Sequence, residues 1–343
     1  MNYFIKNLTS HQQVGLLFVF VFGLLLLATA ITVVRTLRFT QQSKNTPLDD
    51  DDAVRSHPFY ALLKTSWLIA IIFWLSWSMG DKVATILFGF LSFFALREFM
   101  TLSPTKRGDH RSLLLAFFVV LPAQYALVMT EHFNLFTVFI PVYVFLAIPV
   151  VSALSNDPER FLERNAKMQW GIMVCVFGLS HVPALLLLDF PAAGGEKSFQ
   201  GKNMFLLFHL VMVVQLCMVV QHISWRWLQS RGRGKAVAPN ISASFNWTSW
   251  AIGVCVASFV GGVLAGITPF QYPAQALALS FVACVAGSLG HFVMKALKRD
   301  RGVTHWAGGT RSVTGAQGLL DRIDSLCFAA PVFFHTVHWY FDL

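Results

Sequence analysis

Asp321 and Asp324 stand three residues apart in the segment Gly315-Ala316-Gln317-Gly318-Leu319-Leu320-Asp321-Arg322-Ile323-Asp324-Ser325. That spacing places both carboxylates on one face of a helix. A basic cluster of Lys295, Lys298, Arg299 and Arg301 ends the apolar stretch before the segment, and a polar, glycine-bearing loop from Gly302 to Thr314 lies between. Two carboxylates beside cations and free helix N–H groups can hold a divalent metal and a phosphate together. No other part of the chain concentrates charge for chemistry in this way. A purely structural reading stays open, because the helix dipole favours acids in a first turn and arginine is favoured at an inner membrane surface.

The elements that must carry these residues are membrane spans. Of the 343 residues 55% are hydrophobic and only 13% charged, and the mean hydropathy is +0.59. Apolar runs of bilayer length recur from end to end, which predicts an all-α polytopic membrane protein with about ten transmembrane helices. The hydrophilic stretches reach only about 25 to 30 residues, too short for an independent core. The chain therefore reads as a single integral membrane domain over 1–343. The expected spans are Val14–Val34, Trp67–Met79, Val83–Leu96, Leu113–Met129, Leu135–Leu154, Met168–Leu188, Met204–Ile223, Trp250–Ile267, Ala274–Met294 and Leu326–Phe341. The second and third are short and tightly joined at Gly80-Asp81, which suggests partly embedded helices. The site falls at the cytoplasmic ends of the last two spans.

Charge sets the orientation. With the N-terminus outside, every Lys and Arg except Lys6, Lys82, Lys197 and Lys202, out of 26 in all, falls on the inner side. This is the positive-inside bias, and it puts Asp321 on the cytoplasmic side. It also explains the net charge of +9 without nucleic acid. Ala28-Thr29-Ala30 imitates a signal-peptidase site, but the cations follow the first span rather than precede it, so an uncleaved anchor is expected.

Other polar features read more plainly. Asp49 to Asp52 form a solvated acidic run. Arg231-Gly232-Arg233-Gly234-Lys235 reads as a flexible basic loop near headgroups. The five cysteines lie in apolar runs without a CxxC pair and suggest neither disulfides nor zinc. His181, His209, His222, His291 and Gln215 fall within spans or at their ends. Helix–helix hydrogen bonding or a proton relay would account for them. Arg97-Glu98 and Asp189 sit at span ends and need no special role.

Gly-x-x-Gly-Leu-Leu-Asp-Arg-Ile-Asp-Ser, at the start of the last span of a polytopic chain, resembles the signature of the CDP-diacylglycerol synthases (phosphatidate cytidylyltransferases). The motif likeness covers 287–325, and the layout of many spans with a C-terminal signature covers the whole chain. Gly318 to Ser325 match closely, and Lys298-Arg299 supplies the basic pair with a three-residue shift from Lys295-Ala296. Where the family carries Gly-Asp and then Glu-Ser, this chain has Gly287-Ser288 and His291-Phe292. The His-Gly-Gly of the family becomes Ala316-Gln317-Gly318, and Thr304-His305 stand near the place of a loop Lys-Asp. These departures mark a divergent, bacterial-looking branch.

The resemblance implies that a lipid phosphate attacks the α-phosphorus of CTP and pyrophosphate leaves. Asp321 and Asp324 would contact Mg²⁺, Asp321 first. Arg322, Lys295, Lys298 and Arg299 would hold phosphates, with Gly315, Gly318 and Ser325 in the substrate-binding segment. The implied partners are CTP, phosphatidate or a related lipid phosphate, and the bilayer of a bacterial inner membrane; a homodimer is left open. A transporter, or a relative that only binds lipid, remains the alternative.

Overall fold

A computed structural model describes residues 10–42, 58–103, 105–190, 202–270, 272–303, 306 and 318–341. Helix accounts for nearly all of them, with no named strand among the described residues. Ten helical rods follow one another: α1 Ser10–Gln42, α2 Pro58–Met79, α3 Asp81–Thr101, α4 Arg107–Met129, α5 Phe133–Ala153, α6 Phe161–Leu186, α7 Asn203–Ser230, α8 Trp247–Ile267, α9 Pro273–Asp300 and α10 Leu320–Phe341. Among the described residues, eight of them (α1 and α3 to α9) are long and apolar enough to cross a membrane, against the ten expected. The chain is thus an all-α polytopic membrane protein. α2 and α3, expected to be short, have 22 and 21 residues, or about 30 Å at 1.5 Å per residue. The acidic run Asp49 to Asp52 lies outside the described residues.

Two units divide the chain, 1–80 and 81–343. In the first, Trp67 Nε1 donates to Thr29 Oγ1 at 3.1 Å and Phe18 stacks on Trp77. The second holds α3 to α10 and every candidate site residue.

Proline and small residues shape the helices that carry the site. Pro331, inside α10, has no N–H for the carbonyl of Cys327 four residues earlier. Gly178 of α6 fills that place: a Cβ on it would lie 2.2 Å from the Cys327 carbonyl oxygen. The backbones of α6 and α10 are therefore in contact. Gly178 also ends a π-helical turn, Met173–Gly178. On the other side of α10, Gly290 of α9 admits Phe328, which a Cβ would meet at 2.2 Å. Small residues permit such approach between helices in lipid.

α9 ends in a turn that matters for the site. The Val303 N–H returns to the Lys298 carbonyl and the Gly302 N–H to Arg299, with Gly302 at φ +70°. This left-handed C-terminal motif satisfies the last carbonyls and directs the chain from Lys298 towards Trp306.

Candidate active site

α10 opens at Leu320, preceded by Gly318 at φ +68°, a conformation that costs a residue with a Cβ about 1–2 kcal/mol. The first N–H groups of a helix have no partner within it. Here Glu98, near the end of α3, provides one. Its Oε1 accepts the Gly318 N–H at 2.7 Å and its Oε2 the Leu320 N–H at 2.9 Å. Glu98 is buried, 4% exposed. Of the N–H groups at this helix start that the sequence leaves open to phosphate, that of Leu320 is thus occupied by a carboxylate of this chain. Glu98, read as a span-end residue without a special role, fixes the start of the signature helix.

Asp321 and Asp324 both face α9, but they meet different partners. Asp321 Oδ1 accepts from Lys298 Nζ at 2.6 Å, and Oδ2 accepts the Trp306 N–H at 2.8 Å. The Trp306 ring is buried against Phe99, the neighbour of Glu98. Asp324 Oδ2 meets His291 Nδ1 at 2.8 Å, and Oδ1 accepts the Ser325 N–H at 2.6 Å. Asp324 is sealed in, with 3% of its side chain exposed, whereas Asp321 keeps 19%. α3, the C-terminal halves of α9 and its turn, and the first two turns of α10 therefore converge on one cluster of alternating charge.

The other predicted residues divide. Lys298 is buried in its pair with Asp321, while adjacent Arg299 is exposed. Neighbours on a helix point about 100° apart, so one basic pair cannot present both ends to one carboxylate. Lys295 is half-buried one turn earlier, with Nζ 3.5 Å from Ser242 Oγ. Arg322 is half-buried and Ser325 buried. Gly315, Ala316-Gln317 and Thr304-His305 lie outside the described residues.

The departures from the family pattern have definite places. Ser288 accepts the Trp250 indole N–H at 2.8 Å and donates to the Cys284 carbonyl at 2.6 Å, so its hydroxyl joins α8 to α9. Asp300 is exposed and pairs with Arg301. His291 is the residue that reaches the signature, through Asp324. No group of three or more His, Cys, Asp or Glu side chains among the described residues could by itself hold a metal.

The remaining polar residues sit elsewhere. His181 Nδ1 meets the Phe177 carbonyl at 2.7 Å, among the rings of Phe136, Phe177 and Phe334. His209 Nε2 lies 2.9 Å from Ser280 Oγ. Arg231 lies over the Trp227 ring. The cysteines are free thiols.

Glu98 left a trace in the sequence. It is an acid inside an apolar stretch, on the side where the cations gather, and such residues are costly unless they have a partner. Nothing in the sequence says that this partner is 220 residues away.

Over 280 residues the chain is 32% identical to the uncharacterized protein YnbB of Escherichia coli (strain K12), a match covering 81% of this chain and 86% of that one. The profile of the cytidylyltransferase family matches residues 61–340, from α2 to α10 and across the whole cluster. The chain belongs to the cytidylyltransferase family.

Proposed function

We propose that the protein is a CTP-dependent cytidylyltransferase that activates a lipid phosphate, with phosphatidate the first candidate, at the cytoplasmic face of a bacterial inner membrane. One observation carries this reading: Asp321 and Lys298 are held 2.6 Å apart at the start of the signature helix, with Asp321 partly open to the surface.

In the reaction a phosphate oxygen of the acceptor forms a bond to the α-phosphorus of CTP. The bond from that phosphorus to the oxygen bridging to the β-phosphorus breaks, and pyrophosphate leaves with the electron pair. Such transfer depends on positioning and charge neutralisation more than on a strong base. Mg²⁺ is usually bound by one or two carboxylates together with substrate phosphates. Asp321 suits that mode because its carboxylate reaches the surface; Asp324, sealed and engaged by His291, supports from behind. A bound Mg²⁺ would supply positive charge against the triphosphate.

The chain's own residues do the rest. Lys298 places an ammonium beside Asp321, where it can share a phosphate oxygen. Arg322, one residue further along α10, offers a planar guanidinium from the same turn. Glu98 holds that turn still, so its donors and acids need little reorganisation during transfer. The acceptor would enter sideways from the lipid and CTP from the water side.

The test is CTP-dependent pyrophosphate release from phosphatidate with Mg²⁺, by the detergent-purified protein and by Asp321→Asn. Loss of one charged group at such a site is expected to lower turnover by about 10²–10³-fold. An equally active Asp321→Asn protein would sink this assignment. A wild type that neither turns over nor binds CTP would leave a lipid-binding or transporting relative.

A further inference from the structure

Lys295 and Lys298 stand nearly one turn apart on α9 and have different neighbours. Lys298 is paired with Asp321. Lys295 makes no salt bridge to a described carboxylate. It lines a half-open pocket of about 110 Å³ between α7, α9 and the segment that joins α7 to α8. The polar wall is Gln221, His222, Ser244, Ser288, His291 and Lys295, and three apolar side chains complete it.

The chemistry of this wall is one-sided. It contains an ammonium, two imidazoles, two hydroxyls and a carboxamide, but no carboxylate. The nearest acid named by the geometry, Asp324, stands behind His291 and is engaged by its Nδ1. Gln221 Oε1 is buried with no hydrogen-bond partner among the described residues. A half-buried cation that no described carboxylate contacts, beside a buried acceptor without a donor among the described residues, leaves room for a ligand. What completes it must bring negative charge and one acidic hydrogen.

We propose that this pocket seats the phosphate monoester of the acceptor substrate, an assignment that rests on the cytidylyltransferase reading above. A monoester phosphate has its second pKa near 6, so at neutral pH it carries one to two charges. Its oxygens accept from Lys295 and the Ser244 hydroxyl. In the monoprotonated form its P–OH donates to Gln221 Oε1. A phosphodiester or a choline-type headgroup would fail one or both requirements. The size agrees: a cavity of about 110 Å³ that admits several waters also admits one phosphate group. The nucleotide then belongs on the Asp321 and Lys298 side, next to the acceptor phosphate that must reach its α-phosphorus.

The experiment separates substrates. Initial rates are measured with dihexanoyl phosphatidate and CTP for the full-length wild type, Lys295→Met, His222→Gln and Lys295→Arg. Lys295→Met is expected to raise the acceptor KM about tenfold or more, equivalent to 1.4 kcal/mol, while leaving the CTP KM unchanged. His222→Gln should shift the same constant less, and Lys295→Arg should recover part of the loss. A rise in the CTP KM alone would give Lys295 to the nucleotide and overturn the proposal.

Binding by calorimetry without CTP gives a second readout that needs no turnover. Dihexanoyl phosphatidate should bind the wild type about tenfold more tightly than Lys295→Met, and dihexanoyl glycerol should not distinguish them. Equal binding of phosphatidate to both proteins overturns the pocket even if turnover is absent. Absent turnover with Lys295-dependent phosphatidate binding overturns the reaction and keeps the pocket. Inorganic phosphate binding as tightly as the lipid would make this a free-phosphate site, and the acceptor assignment falls.

Discussion

Among the described residues of the larger unit, two clusters of buried charge are completed in different ways. In one, Arg164 of α6 holds two acids from different segments. Its Nε donates to Asp109 Oδ1 at 2.8 Å, and its Nη1 to Asp157 Oδ2 at 2.7 Å and to the Glu159 carbonyl at 2.8 Å. Asp109 also accepts the Lys106 N–H, and Lys106 pairs with Glu159. The cluster ties the start of α4 to the segment before α6, and its cations pair with its acids, although Arg164 Nη2 is buried without a hydrogen-bond partner among the described residues. In the other, at the start of α10, each acid has a partner, yet Lys295 contacts no described acid and a pocket lies open beside it. Buried charge that is balanced within the fold acts as scaffold. Buried charge left unbalanced beside a cavity marks where a ligand completes the protein.

The comparison breaks most sharply at Arg164. Its side chain is 5% exposed, and that of Asp109 is 7%. Removing one partner of a buried ion pair leaves an uncompensated charge, at a cost of about 3–5 kcal/mol. Arg164→Met is therefore expected to lose that much stability in a reversible SDS titration. In folded protein the KM values should stay near those of the wild type. A stable Arg164→Met protein with altered substrate KM would show that this cluster serves the chemistry instead.

Glu98 tests the boundary between the two kinds of cluster. It belongs to the α10 site by position, but both oxygens are engaged by backbone N–H groups. In Glu98→Gln one of those N–H groups would face the amide NH₂, and a buried donor left unsatisfied costs about 1–3 kcal/mol. Both stability and turnover should fall, because Asp321 rides on the turn that Glu98 fixes. Turnover lost at unchanged stability would instead make Glu98 part of the reacting machinery. No change in either would refute the role given to it.

How much of this was readable in advance depends on the range of the interaction. The helices were legible because a bilayer-length apolar run is a local property; each of the ten expected stretches is helical. Their ends were not. α2 begins at Pro58 rather than Trp67, and α9 continues to Asp300 rather than stopping at Met294. Hydropathy marks where lipid ends, whereas a helix ends where its carbonyls find a cap, as at Gly302. The shared face of Asp321 and Asp324 followed from their spacing, but that this face meets α9 did not. Glu98 and Arg164 were not legible, because their partners lie 220 and 55 residues away. A sequence shows the charge and its cost, but not the distant group that offsets it. Arg164 in particular looked like one more inner-side cation.

The smallest effect concerns the edge of the Arg164 cluster and sharpens the comparison through pH. Asp157 is partly exposed, at 32% of its side chain. Its carboxyl is held below the ordinary carboxylate range, first by the Glu159 N–H on Oδ1 at 3.1 Å, and then by the charges of Arg164 and Lys106 against some desolvation. An acid with a depressed folded pKa binds fewer protons folded than unfolded between the two values, so stability rises with pH there. Its contribution is fully present above the unfolded value of about 3.9 and fades as pH falls through the folded one. The stability difference between the wild type and Asp157→Asn should thus be constant from neutral pH to about 5 and shrink in stronger acid. It should also be modest and weaken with added salt, since a partly exposed pair is screened. A difference that widened in acid would mean that Asp157 is stabilised as the neutral acid, and the cluster would then not be balanced by charge at all.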